Sequence, residues 1–237
     1  MSTEIGNVFS MLEKEQTAPL ADQAYELIRD EIILGRLKPG EVVSETTLEE
    51  RYQIARAAVR SAIAQLIGER LIKAVGKKSR IIAPLTVGDI HDIFLLRREL
   101  EPLAARLAAG NVSEELLRVL DEACRRAYEP GNKKGELAFL DANRRFHLAI
   151  GRASGSPRLT QMLEHLHNEA SRILYLGFRN TNRSKDWTHG HENLLEALVR
   201  PSPEEAERIA LQLLDKSYED VMRAVITNPK FKDAQLA

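Results

Sequence analysis

The chain has 237 residues, 43% hydrophobic, 29% charged and only 5% aromatic, with a formal net charge of −1, the make-up of a folded globular protein of one or two domains. No run approaches the ~18 apolar residues needed to span a bilayer. The N-terminal MSTEIGNVFSMLEKEQ lacks the basic and apolar regions of a signal peptide. The single cysteine, Cys124, cannot form an intramolecular disulfide, so a reducing, cytoplasmic setting with no membrane partner is expected.

Residues 1–16 are polar and aperiodic and read as a flexible arm. A helix is expected from near Pro19, with Leu20, Ala24, Leu27, Ile28, Ile32 and Ile33 on one face. Gly35 caps it and Lys38-Pro39-Gly40 turns the chain. Ser44 can N-cap a second helix that buries Leu48 and Tyr52. After a turn at Gln53-Ile54-Ala55, a third helix runs from Arg56 to about Glu69 with Val59, Ala62, Ile63 and Leu66 inward. Two apolar segments, 71–75 and 81–83, flank Gly76-Lys77-Lys78-Ser79-Arg80 and predict a β-hairpin wing.

From Arg51 to Arg80 there are eight Lys or Arg against one acid, Glu69. That surplus in a near-neutral chain marks a polyanion-binding surface. Arg56 and Arg60 lie one helical turn apart, with Gln53 and Ala57 at the same exposed end. A helix–turn–helix presents the start of its second helix to the major groove, where an arginine can bond guanine bidentately. Lys77, Lys78, Ser79 and Arg80 would follow the adjacent phosphates or minor groove. Arg51 and Arg70 read as ordinary surface residues.

Pro84 marks a domain boundary. Thr86-x-x-Asp89 is a capping box opening a long helix, with Ile90, Ile93, Leu96, Leu100, Leu103, Ala104 and Leu107 inward. Gly110-Asn111 stops it. Further helices are expected from Ser113 to about Tyr128, from Glu136 to Ala153, and from Ser156-Pro157 to about Arg179. A polar stretch, 180–185, precedes a short helix over 189–199 and a final one from Ser202-Pro203 to about Thr227. The fold class is therefore mainly α. An N-terminal winged helix–turn–helix of three helices plus a β-hairpin (17–85) joins an all-α antiparallel bundle of about six helices (86–237).

This order of elements resembles the GntR family of bacterial transcription regulators, and within it the fatty-acid-regulator (FadR-type) branch with an FCD effector-binding domain. Leu34 to Gly40 resembles the family's first-helix exit and Arg56 to Ala62 its recognition helix. Arg97 to Ala105, Asn143 to His147, Ala153 to Pro157 and His191 to Leu198 resemble stations along its effector domain. The chain departs from the pattern at Ala55 and Ala57, where Ser or Thr is usual, and at Ser79, where the wing usually carries glycine.

The resemblance implies a transcriptional repressor that binds double-stranded operator DNA as a homodimer and responds to a small-molecule carboxylate effector. It also implies a divalent metal, Zn or Ni, at the positions of Asn143, His147, His191 and Leu213; in this chain the usual Asp has become Asn143 and one usual His has become Leu213. The competing reading is a metal-free pocket in which Arg97, Asn143, His147 and His191 bind the effector by hydrogen bonds. Arg97 is placed near that cavity by the resemblance, and equally suits an ion pair with Glu101, four residues on. His165 and His167, two apart, fall on different faces of their helix and read as surface or packing residues. Asp141 is six residues from His147, a poor helical match for a co-ligand. From other functional classes, a metal-dependent enzyme and a protein-binding adaptor are alternatives. The first lacks a recognised catalytic motif and leaves the basic winged helix unexplained; in the second the winged helix would bind protein instead of DNA.

Overall fold

The computed structural model describes residues 19–75, 79–127, 132–180 and 184–227, with backbone only at 127, 178–180 and 184–190. The expected arm, Lys77 and Lys78 lie outside the described residues. The chain divides into two compact units, Met1–Pro84 and Leu85–Ala237.

The first unit contains α1 (Leu20–Ile33), β1 (Val42–Val43), α2 (Glu45–Tyr52), α3 (Arg56–Gly68), β2 (Ile72–Val75) and β3 (Ser79–Ile82). Helix α1 buries Ala24, Ile28 and Ile32 at spacings of four, and Gly35 closes it at φ 67°, a left-handed turn that costs glycine little. Ser44 caps α2 as expected. Its hydroxyl accepts from Thr47 N–H at 3.1 Å, and Thr47 Oγ1 accepts from Ser44 N–H at 2.9 Å. Gln53, at φ 54°, breaks α2 and sets the turn into α3. Leu48, Val59, Ile63 and Leu66 meet Ile28, Leu71 and Ile82 in one apolar core.

Two expectations here are corrected. Leu20 and Leu27 are exposed, because the apolar stripe of α1 is narrower than its sequence suggests. The wing is three-stranded in the order β1-β3-β2. Strand β1 pairs Val42 with Ile81 and Val43 with Arg80, and β2 pairs Val75 with Ser79 through Ile72 with Ile82. A two-residue strand is too short to show alternation in sequence.

The second unit comprises α4 (Val87–Ala108), α5 (Glu114–Ala127), α6 (Lys133–Ala153), α7 (Pro157–Asn180), α8 (Ser184–Val199) and α9 (Pro203–Thr227). Thr86 and Asp89 form the expected capping box. Helix α6 starts three residues earlier than expected, where Asn132 caps it through Gly135 N–H at 3.3 Å. Helix α8 starts at Ser184 rather than 189. Helix α4 packs on α6, α7 and α9, while α5 packs on α6 and α8. Phe146, Ile150, Leu194, Leu198, Ala105 and Ala206 lie at the centre of this bundle. On α4, Leu96 and Leu107 are exposed rather than inward, and Leu100 and Leu103 are only half-buried.

Candidate DNA-reading face and effector cavity

The start of α3 gathers the first set of sequence-predicted residues. Gln53, Arg56, Ala57 and Arg60 are all exposed. The guanidiniums of Arg56 and Arg60 converge on one oxygen: their Nε atoms lie 3.2 and 3.3 Å from Glu45 Oε2. Glu45 comes from the first turn of α2, and these hydrogen bonds hold its carboxyl below the usual range despite the opposing effect of burial. Gln53 donates through Nε2 to Glu50 O at 2.7 Å. No side chain caps α3, since Ala55 occupies the N-cap. Its first-turn N–H groups are thus left as a site for an anion such as a phosphate. In the wing, Ser79 is exposed, Arg80 is half-buried, and Lys73 on β2 adds an exposed charge. Arg51 binds Glu41 Oε1 and the Arg36 carbonyl, each at 3.1 Å. Sequence reading missed Glu45, because its partners lie 11 and 15 residues on, across a turn.

The second set lines one cavity in the helical unit, with about 70 Å³ of free volume, room for a few waters or a small polar headgroup. Arg97 and Glu101 from α4, Asn143 and His147 from α6, His191 from α8 and Leu213 from α9 all reach it. Arg97 fulfils both alternatives: it lines the cavity, and its Nε donates to Glu101 Oε1 at 2.6 Å. Its Nη1 is buried without a hydrogen-bond partner among the described residues. A buried donor left so is costly.

Glu101 is also faced by His147 Nδ1 at 3.4 Å and by His167 Nε2 at 3.3 Å. The rings of His147 and His167 stack with centroids 5.0 Å apart. Burial alone would raise the Glu101 carboxyl, but Arg97 and the two imidazoles hold it at about 2. Burial likewise pushes His147 well below its ordinary range and His167 to about 4, Glu101 only partly offsetting it. His167 corrects the sequence reading. His165 is exposed as expected, but His167 is 2% exposed and belongs to this cluster. The spacing of two does separate the faces; one of them is the core.

The positions of the family's metal pattern carry few donors. Leu213 offers no donor and Asn143 only a neutral amide. The His191 ring is stacked on Phe146 at 4.1 Å and 11°, and its Nδ1 faces Asp121 Oδ1 at 3.5 Å. Asp121, 1% exposed, is also bound by Arg125. Two imidazoles and a neutral amide, with no donor at Leu213, do not complete a tetrahedral Zn or Ni shell; the Asp121 carboxylate beside His191 Nδ1 leaves the Nε2 of that ring free. His189, a further donor close in sequence, has no described side chain. Asp141 is bonded to Arg144 and Arg145.

A winged helix–turn–helix with converging exposed arginines, and a helical bundle around a cavity, are the architecture of a DNA-binding regulator. The comparisons agree: residues 20–82 match the bacterial regulatory proteins of the gntR family and residues 92–216 match the FCD domain, and the chain belongs to the GntR family with an FCD domain. An uncharacterised HTH-type transcriptional regulator of Bacillus subtilis (strain 168), YdhC, is 27% identical over 200 residues, spanning 83% of this chain and 88% of that one. The HTH-type transcriptional repressor GlaR of Escherichia coli (strain K12) is 28% identical over 218 residues, spanning 86% and 96%. Among solved structures, E. coli McbR/YncC superposes with a TM-score of 0.71 at 22% identity, covering 87% of this chain and 99% of that one, a likeness of fold. The chain is thus a transcription regulator by family. Among the described residues, no helix is long and apolar enough to cross a membrane.

Proposed function

We propose that this protein is a cytoplasmic repressor that binds operator DNA as a homodimer and releases it when a small carboxylate occupies the helical cavity. Residues 17–85 would act as the DNA-binding domain and 86–237 as the effector and pairing domain. The observation that carries the DNA half is the exposed convergence of Arg56 and Arg60 at an uncapped helix start. Arginine at such a position can bond guanine O6 and N7, while the N–H groups of α3 and Arg80 suit phosphates; Lys77 and Lys78 join them on sequence grounds.

The effector half rests on Arg97. Arg97 lines the cavity and its Nη1 has no hydrogen-bond partner among the described residues; an incoming carboxylate that reached it would supply the missing acceptor in a charge-assisted hydrogen bond. Asn143, His147 and His191 stand ready to bond the rest of the ligand, and Leu213 makes one wall apolar. A metal at the family-pattern positions forms no part of this reading. The effector would act by binding the operator-free state more tightly than the operator-bound one.

Pairing is supported by the stripe Leu96–Leu100–Leu103–Leu107 on α4, spaced 4, 3 and 4, whose ends are 49% and 42% exposed. Such a stripe suits a second copy of the same helix. The test is fluorescence anisotropy with a duplex that the full-length protein selects from a random pool, followed by a panel of small carboxylates. A carboxylate that weakens operator binding in the wild type and not in Arg97→Leu supports the reading. If carboxylates act equally on both proteins, Arg97 does not bind the effector.

A further inference from the structure

The Arg97 guanidinium has a neighbour besides Glu101 and the cavity. Its central carbon lies 4.9 Å from the centroid of the Phe94 ring, one turn back along α4, a cation–π contact. Phe94 is buried and packs in turn on Tyr218 of α9, with centroids 5.2 Å apart and planes at 55°. The Tyr218 hydroxyl lies 3.3 Å from His91 Nδ1, back on α4. We infer that Phe94, Tyr218 and His91 form a relay that carries the state of the Arg97 cavity to the first turns of α4. It rests on the function proposed above and assigns that function its route.

A coupling route needs an element with two discrete arrangements that both sites bias. Arg97 supplies it. Its guanidinium is held by Glu101 on one side and the Phe94 face on the other, while Nη1 has no hydrogen-bond partner among the described residues. An anion bonded to Nη1 draws the guanidinium towards the cavity and off the ring. Phe94 is 4% exposed, so its ring takes a new angle only if Tyr218 moves with it. Tyr218 also follows Ser217, which lines the cavity from α9.

At the far end, His91 stands on the second turn of α4, two residues beyond the Asp89 that closes the capping box with Thr86. A shift of the Tyr218 hydroxyl therefore acts where the chain enters α4, just past the unit boundary at Pro84. Helices α4 and α9 also meet through Arg98 with Asp215 at 3.1 Å and Arg106 with Glu207 at 3.8 Å, both exposed pairs. Such pairs constrain little, so they are poor carriers of a shift.

The test needs no effector, because coupling is reciprocal: operator bound by the DNA unit must be felt at Arg97. In full-length protein the Arg97 Nε–H resonance, identified by its absence in Arg97→Lys, is followed by NMR as the selected operator duplex is added. Saturating duplex should displace it in the wild type, with the displacement at least ~2-fold smaller in Tyr218→Phe and in Phe94→Leu. It should be unchanged in Arg98→Ala, which breaks only an exposed pair between the same helices. Should Phe94→Leu fail to fold, Tyr218→Phe decides, since it keeps the ring and loses only the hydroxyl. A wild type that binds the duplex while the Arg97 resonance stays still would overturn the relay alone. So would equal displacement in Tyr218→Phe, or an equal loss in Arg98→Ala. Absence of any duplex binding, read by anisotropy, would overturn the DNA reading and the relay with it.

Discussion

Glu45 holds two arginines that a DNA-binding surface must be able to release. Its carboxylate oxygen, 3.2 and 3.3 Å from Arg56 and Arg60, cancels part of their charge and fixes where their guanidiniums point. On the DNA-reading proposal, Glu45→Gln removes an anion close to the phosphates and frees both side chains. Affinity for random duplex should rise, and the ratio of operator to random binding should fall, by several-fold as read by competition anisotropy. An unchanged ratio would show that the carboxylate is incidental.

In the cavity, Glu101→Leu leaves Arg97 buried without its counter-charge. Urea unfolding should show a loss of about 3–5 kcal/mol, against less than about 1 kcal/mol for exposed pairs such as Arg118 with Glu114. The same cluster gives an acid dependence. His167 is held at about 4 and His147 well below an ordinary 6.5, and Glu101 at about 2 against an ordinary 4.5. All three bind fewer protons folded than unfolded, so their stabilisation is complete above pH 6.5 and lost as the pH falls through the folded values. The melting temperature of metal-free protein should drop from pH 7 towards pH 4, less steeply in His167→Gln. Of these residues, the Arg97–Glu101 pair and the Asn143–His147 face were legible from i, i+4 spacing. Glu45 and His167 were not, because their partners are brought up by turns and by other helices.

Element boundaries were legible wherever a capping chemistry announced them. Ser44 and Thr86 cap as their sequences suggest, and each contributes about 1 kcal/mol. Thr86→Ala should lower the stability of the helical unit by that amount in chemical denaturation, with far-UV helicity nearly unchanged. Elements defined by pairing rather than by local pattern escaped: β1 exists because Gly40 N–H bonds Ile82 O and Ile82 N–H bonds Glu41 O, both at 2.9 Å. The apolar faces of α1 and α4 were overread for a related reason. Periodicity marks a face as apolar and says nothing of whether the same chain covers it.

For the whole molecule, the uncovered leucines of α4 bear on assembly. If Leu96 and Leu107 lie in a homodimer interface, Leu96→Glu with Leu107→Glu should yield a monomer in sedimentation velocity while the helical signal persists. A monomeric wild type would remove this face from the account. Pairing also matters for DNA affinity, because one recognition helix makes a small footprint and two-fold symmetry doubles it.

The most direct measurement is operator affinity of the wild type, Arg56→Ala, Arg60→Ala and the double variant across a salt series. The account predicts a steep fall in wild-type affinity with salt. The double variant should bind operator and scrambled duplex alike, each lost guanine contact removing about 1–3 kcal/mol of discrimination. Full discrimination retained by the double variant would contradict the claim that α3 reads DNA through these two arginines.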